Sequence, residues 1–136
     1  MDAGGAMGAV NWLAVIVAAI ATFLLGAIWY GPLLGTPWGR ASGITEEKAR
    51  DANMARTFGL AFVLQLLAAF ALAMFIGAEA GVGFGTFAGF MTGAFFVATA
   101  FGVVYLFEQR PLALWAIDAG YQIVAFTMMG AILGAW

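Results

Sequence analysis

Asp118 is the one carboxylate well inside a long apolar stretch of the 136-residue sequence, so membrane chemistry would centre on it. Tyr121 and Gln122 follow by three and four residues, a spacing that puts all three side chains on one face of a helix. A charge at the centre of a membrane helix costs about 2.5 to 3.5 kcal/mol on insertion scales. Asp118 therefore needs a hydrogen-bonding partner or a role in moving protons or cations.

Three polar residues occupy comparable positions in the other apolar stretches. Gln65, Thr99 and Thr22 each fall about 10 to 14 Å below the end of their stretch at the rise of an α-helix. Arg56 lies at the mouth of the second stretch, and its stem is long enough to carry the charge toward Asp118. Because polar groups in lipid need internal partners, we predict one polar cluster centred on Asp118.

The sequence leaves two interpretations of this cluster open. In the first, a neutral Asp118 joins a closed set of interhelical hydrogen bonds, because burial disfavours the charged carboxylate. In the second, Asp118 carries a proton or cation step in a small transporter or channel, with Gln65 and Gln122 beside it. A tightly bonded cluster would favour the first interpretation, and a cavity reaching Asp118 from one side would favour the second.

Composition argues against most other chemistry. His and Cys are absent, so thiolate nucleophiles and the usual zinc sites are excluded, and no close pair of buried carboxylates offers a general acid and base. With 5 Lys and Arg against 7 Asp and Glu, there is no basic surface for nucleic acid. We therefore predict a non-enzymatic protein without metal or cofactor. The one bound group that the residues leave open is an apolar pigment or quinone between helices.

We predict that long apolar helices carry these residues. Hydrophobic residues make up 65% and charged residues 9% of the chain, against about a quarter charged in soluble domains. A helix needs about 20 apolar residues to cross the hydrocarbon core. We therefore predict an all-α, polytopic membrane protein, a four-transmembrane-helix bundle in a single domain of residues 1–136. The predicted spans are residues 10–33, 57–77, 83–107 and 112–136.

The positive charges predict the direction of these helices. Lys and Arg near helix ends are retained on the cytoplasmic side during insertion. All of them lie in the loops after the first and third spans, so both termini are predicted to face outward from a bacterial inner membrane. The cations are Arg40, Lys48, Arg50, Arg56 and Arg110.

The polar cytoplasmic loop, residues 34–56, is predicted to begin as a turn and to end as a helix. Pro32 ends the first span, and residues 35–39 contain the Gly and Pro that stop a helix. Thr45 is suited to cap a short amphipathic helix that passes into the second span without a break. Aromatic residues near the span ends are predicted to anchor the protein at the membrane surfaces. They are Trp12, Trp29, Tyr30, Trp38 and Trp136.

Glycines at every fourth position predict close helix packing, since association in lipid depends on small residues. These glycines begin just before the third span and continue through the third and fourth spans: Gly81, Gly85, Gly89, Gly93, Gly130 and Gly134. They serve packing within the chain, or contact with a second copy or another membrane subunit. With so little chemistry available, they favour a packing or accessory subunit of a homo-oligomer or larger membrane complex, with lipids as the other partner. The alternative is the small transporter or channel subunit.

The first span and the start of its loop carry a distinctive set of residues. Asn11-Trp12, Trp29-Tyr30, Pro32-Leu33, Gly35 and Trp38 occur in this order. Later, residues 130–133 precede Trp136. In these residues the chain resembles the bacterial family catalogued as domain of unknown function 1761, whose members are predicted to have four spans. The resemblance implies the same architecture and implies no reaction.

Overall fold

The computed structural model describes residues 10–45, 47–48 and 53–136, and Arg50 lies outside these ranges. The described residues form helices and no strands, which confirms the all-α prediction. Four of the helices are long and apolar enough to cross a membrane. The helices are α1 (Trp12–Leu33), α2 (Gly35–Ser42), α3 (Met54–Ile76), α4 (Gly81–Phe107) and α5 (Leu112–Ala135).

Helix α5 lies at the centre of the described fold and contacts all four other helices. Helices α1 and α3 pack against each other and against α5, while α4 packs chiefly along α5. We call the half that contains Ala14, Leu72, Gly85 and Met129 the termini half. The opposite half, which contains α2, Tyr30 and Asp118, is the loop half. These two halves are packed in different ways.

The termini half is held together by closely packed apolar side chains. Ala18, Ala69 and Met129, from α1, α3 and α5, are fully buried, and Val15 and Leu72 are nearly so. Small side chains let the three helices approach closely, and in lipid this contact stabilises the fold in place of a hydrophobic driving force.

The contact between α4 and α5 in the termini half is made by backbone against backbone. A Cβ added at Gly85 would overlap the carbonyl oxygen of Gly130, and one at Gly89 would overlap that of Phe126. A Cβ at Gly93 would lie 2.9 Å from Cα of Ile123. We call Gly85, Gly89, Gly93, Gly130 and Gly134 the glycine seam. The seam packs two helices of the same chain, so its glycines are already in contact without a partner subunit.

The end of α1 departs from a regular α-helix. Residues Trp29–Leu33 form a π turn in which Gly31 has φ −106° and ψ −105°, and Pro32 lacks the N–H that a helix interior would use. The predicted turn over residues 35–39 is wrong, because these residues form the first part of α2. Pro37 is tolerated there since it lies in the first helical turn, where N–H groups have no intrahelical partner.

The start of α3 also differs from the prediction. Thr45 does act as a cap, since its hydroxyl accepts the backbone N–H of Lys48 at 3.1 Å. The helix does not continue unbroken from there, because Asn53 is extended, with φ −78° and ψ 97°. The Asn53 side chain accepts the N–H of Arg56 at 3.0 Å and starts α3 at Met54. A second N-cap, absent from the sequence prediction, therefore separates the loop from the span.

Candidate polar site and cavity

Asp118 lies at the meeting point of three helices in the loop half. It is 9% exposed on α5, and each of its carboxylate oxygens accepts a tyrosine hydroxyl from another helix. Tyr30 of α1 donates to Oδ1 at 2.8 Å, and Tyr105 of α4 donates to Oδ2 at 2.6 Å. Both oxygens of Asp118 are therefore held by hydroxyl groups from neighbouring helices.

A second set of hydrogen bonds lies one helical turn farther along α5. The Tyr121 hydroxyl donates to the backbone oxygen of Thr22 at 2.9 Å. The Gln65 amide donates to the same hydroxyl at 3.4 Å. Thr22 therefore joins the cluster through its carbonyl group, because its own hydroxyl donates to Ala19 of the same helix at 2.7 Å. These bonds tie α1, α3 and α5 together beside Asp118.

Trp29 and Tyr30 are half-buried and form hydrogen bonds with α5. The Trp29 indole N–H donates to the backbone oxygen of Ile117 at 3.0 Å, and its ring faces Gly120, whose missing Cβ makes room. The Tyr30 ring also lies 5.4 Å from that of Tyr121, measured between centroids. In the π turn, these two predicted anchors lie side by side and both side chains reach α5.

Tyr105 was not predicted to belong to the site. A helix-ending motif holds it in place: Gln109 has φ 56°, and the N–H of Arg110 bonds to the carbonyl of Tyr105 at 2.9 Å. The same turn lays the Arg110 guanidinium 5.4 Å from the centre of the Tyr105 ring. Counting helical depth missed Tyr105 because a tyrosine hydroxyl lies far from its own Cα.

Three predicted members of the cluster lie elsewhere. Thr99 is exposed, and its hydroxyl donates to Phe95 of its own helix at 2.9 Å. Arg56 is exposed at the start of α3 and makes no ion pair with Asp118 among the contacts between described residues. Gln122 lies beside Gly93 of α4 through its backbone oxygen, and it does not line the cavity next to Asp118. The polar cluster is therefore smaller than predicted.

Trp115 forms another interhelical bond that the sequence did not single out. Its indole N–H donates to the backbone oxygen of Ala98 at 2.9 Å, directly after the π turn Gly93–Val97 of α4. Gly102 provides the space, since a Cβ there would lie 3.2 Å from the indole nitrogen. Long aromatic side chains thus join α5 to α4 and α1 throughout the loop half.

A cavity of about 860 Å³ lies between α1 and α3 in the loop half. Asp118 and Tyr121 of α5 line it on the side facing the protein interior, and Trp38 of α2 lines one end. Phe23, Gly26, Ala27, Tyr30 and Gly31 come from α1, and Thr57, Phe58, Ala61 and Gln65 come from α3. Among the residues that the structure describes, the cavity lining is therefore mostly apolar and has Asp118 as its one acidic group.

The other predicted anchors have varied surroundings. Trp38 packs edge-on against Tyr30, with ring centroids 5.7 Å apart, and is part of the cavity wall. Trp12 is 55% exposed and stacks on Phe70 at 5.1 Å. Trp136 is 54% exposed beside a smaller cavity of about 190 Å³ in the termini half. Exposure suits an anchoring role for Trp12 and Trp136, whereas Trp38 belongs to the cavity.

Comparison with known proteins adds a family but no activity. No curated protein and no solved structure matches the chain. The model of the family described as protein of unknown function (DUF1761) matches residues 13–134. This range covers the four long helices except for Trp12 and Ala135, and it includes every residue of the site. The chain therefore belongs to the DUF1761 family.

Proposed function

We propose that this protein is a small membrane transporter, or a subunit of one, that binds a cation at Asp118 and exchanges it for a proton. The observation that carries the proposal is the cavity of about 860 Å³ that reaches Asp118 from the gap between α1 and α3. A cluster serving only to fix helix register would be expected to leave no such space next to its acidic group. The proposed role involves binding and transfer and no catalytic step.

The charge of Asp118 gives the cavity its preference for cations. Two hydroxyl donors stabilise the carboxylate, yet they carry no positive charge. Among the described residues no Lys or Arg forms an ion pair with Asp118. A carboxylate in so apolar a setting attracts either a proton or a cationic ligand. Because both bind the same group, each weakens the binding of the other, which is the coupling that an exchanger needs.

The two tyrosines have different positions relative to the cavity. Tyr30 lines it and donates to Oδ1, so a ligand at Asp118 approaches the oxygen that Tyr30 holds. Tyr105 holds Oδ2 from the opposite side, on α4, outside the cavity lining. In the proposed cycle Tyr105 keeps the carboxylate oriented while the Tyr30 hydroxyl moves to admit the cation or proton.

The proposed sidedness places the loop half toward the cytoplasm of a bacterial inner membrane and both termini outside. The positions of the five cations support it. Because the chain has no cysteine, single substitutions can be labelled without background. Ile44→Cys, after α2, should be protected from an impermeant thiol reagent in intact cells, and Ala78→Cys, between α3 and α4, should react. The reverse pattern would contradict the proposed orientation.

Purified protein in liposomes tests the transport proposal. An inward proton gradient should drive cation efflux. A pH-sensitive dye inside the vesicles should detect the protons that enter in exchange. Asp118→Asn keeps the shape of the side chain and removes its titration, so we expect the coupled flux to be lost. Glu79→Gln, an exposed carboxylate in the termini half, is the matched control and should leave the flux intact. Equal fluxes through both variants and the original protein would refute the proposal.

A packing or accessory role in a homo-oligomer or larger complex is the second candidate. It is supported by the side of α4 that faces away from α5, where several phenylalanines are more than half exposed. They are Phe84, Phe87, Phe95 and Phe96. Native mass spectrometry in mild detergent is the test, since a stable dimer or a copurifying subunit would support this role. A monomer at every loading would remove the homo-oligomer.

A further inference from the structure

Building on the proposed function, we infer that the cavity ligand is an apolar organic cation with aromatic or quaternary groups, rather than a metal ion. The inference rests on three features of the cavity: its size, the aromatic rings around it and its position between α1 and α3. Each feature separates an organic cation from an inorganic one.

The size and lining of the cavity do not suit a bare metal ion. A hard cation such as Ca²⁺ takes about six to eight oxygen ligands at short distances. Within the described part of the chain, the cavity of about 860 Å³ offers a single carboxylate, and most of the other lining residues are apolar. The hydroxyls nearby are already engaged: Thr57 donates to Asn53 at 3.0 Å, and Tyr121 donates to Thr22. A coordination shell would have to be completed by water.

The aromatic rings form the kind of wall that binds organic cations. The faces of Trp and Tyr attract a cation electrostatically, and several rings around one acidic group are the usual arrangement for quaternary ammonium ligands. Trp38 and Tyr121 flank Tyr30, with ring centroids 5.7 and 5.4 Å away. Phe23 and Phe58 complete the lining and meet edge to face at 6.5 Å. These rings lie around the approach to Asp118.

The position of the cavity suits a ligand that arrives through the lipid. It lies between two helices whose loop-half ends are poorly buried, since the buried residues of α1 end at Thr22 and those of α3 begin at Ala69. Gly26, Gly31 and Ala61 leave room between the aromatic side chains of the walls. An apolar cation concentrates at the membrane surface, and this gap would admit it sideways to the carboxylate.

Two tetraphenyl ions of nearly equal size and opposite charge provide the decisive probes. Binding of tetraphenylphosphonium and of tetraphenylborate to the full chain in detergent micelles is measured by quenching of tryptophan fluorescence, with protein-free micelles as background. We expect the phosphonium to bind and the borate not to bind. Asp118→Asn should weaken phosphonium binding by about tenfold or more, equivalent to about 1.4 kcal/mol. Equal binding of both ions, or unchanged binding to Asp118→Asn, would overturn the inference.

A steric variant tests the location without touching Asp118. Ala61→Phe places a ring in the cavity and should weaken phosphonium binding by about tenfold. Leu64→Phe is its control, because Leu64 lies on the same helix, is 65% exposed and does not line the cavity. Circular dichroism verifies that both variants are folded. An equal effect of the two substitutions would contradict binding in this cavity.

Failure of the inference is distinguishable from failure of the proposed function. If Asp118-dependent proton flux is driven by K⁺ or Na⁺ while the phosphonium does not bind, the ligand class is wrong and the transporter proposal stands. If the phosphonium does not bind and no flux depends on Asp118, both are wrong. Phosphonium binding that requires Asp118, together with proton release on binding, supports both.

Discussion

The termini half and the loop half of this protein use opposite means to hold helices together. In the termini half, alanines, glycines and fully buried Met129 bring helices into close contact, and the glycine seam lets backbones touch. In the loop half, long aromatic side chains form hydrogen bonds between helices. Some donate to groups of α5, and others on α5 donate to neighbouring helices. The bridging residues are Trp29, Tyr30, Tyr105, Trp115 and Tyr121.

The difference explains why the cavity lies where it does. Small residues bring helix axes together and leave less space, whereas long side chains that bond at their tips hold the helices apart. Between α1 and α3 the loop half has a cavity in which the small residues Gly26 and Ala61 leave space between larger side chains. The chain thus combines a rigid packed half with a half in which polar groups and space coexist.

The largest effect is expected from adding one methyl group to the glycine seam. In Gly130→Ala the new Cβ would overlap the carbonyl oxygen of Gly85, so two helix backbones must separate. We expect a loss of about 3 kcal/mol in the free energy of unfolding, the upper end for overpacked sites. Gly26→Ala is the matched control, because its Cβ would lie 3.5 Å from the Tyr121 hydroxyl, an ordinary contact.

Unfolding of both variants in mixed micelles, followed by circular dichroism, measures this comparison. Gly26→Ala should be neutral, or stabilised by up to about 1 kcal/mol through the better helix propensity of alanine. Equal destabilisation of the two variants would mean that the halves are packed alike.

A smaller effect is expected when one hydroxyl is removed from Asp118. Tyr30→Phe keeps the ring contacts with Trp38 and Tyr121 but deletes the bond to Oδ1. We expect a loss of about 1.5 kcal/mol, because the carboxylate retains its bond to Tyr105. The same unfolding assay measures it. Stability equal to that of the original protein would indicate that the Tyr30 bond contributes nothing.

Removing a bond between neutral groups in the loop half should cost less. Trp115→Phe deletes the indole donor to Ala98 while keeping much of the ring, and we expect a loss of about 1 kcal/mol. The same unfolding assay measures the loss, and emission from the remaining four tryptophans reports whether their surroundings change. A loss as large as that of Gly130→Ala would contradict the idea that the loop half is held by separate small contributions.

The smallest effect concerns a residue that the sequence wrongly placed in the cluster. Thr99→Ala removes a hydroxyl that bonds only to its own helix and faces outward. We expect a change below about 0.5 kcal/mol and no effect on phosphonium binding. A clear loss of binding would restore Thr99 to the site.

The sequence was sufficient for the architecture and for the centre of the site. Apolar length alone predicts the four long helices, since lipid leaves the backbone few alternatives. Asp118 and Tyr121 were identified because a polar residue in such a helix is rare and their spacing puts them on one face. Gln65 followed from its depth, and the structure brings it to Tyr121.

The rest depended on side-chain direction, which composition does not encode. Trp29 and Tyr30 near a helix end are typical of membrane anchors, and only the π turn at Gly31 and Pro32 shows that they turn inward. Tyr105 lies too near its helix end for a depth count to include it. Thr99 was included by depth, although it lies on the wrong side of its helix.

The accessibility of the two halves to a small reagent tests the central contrast most directly. In the cysteine-free chain, Ala61→Cys puts a thiol in the cavity wall, and Ala69→Cys, two turns along the same helix, puts one in the fully buried core. A thiol needs solvent to ionise and react. We predict that Ala61→Cys reacts with a small methanethiosulfonate in micelles at least about tenfold faster. Equal rates would mean that the loop half is as closed as the termini half.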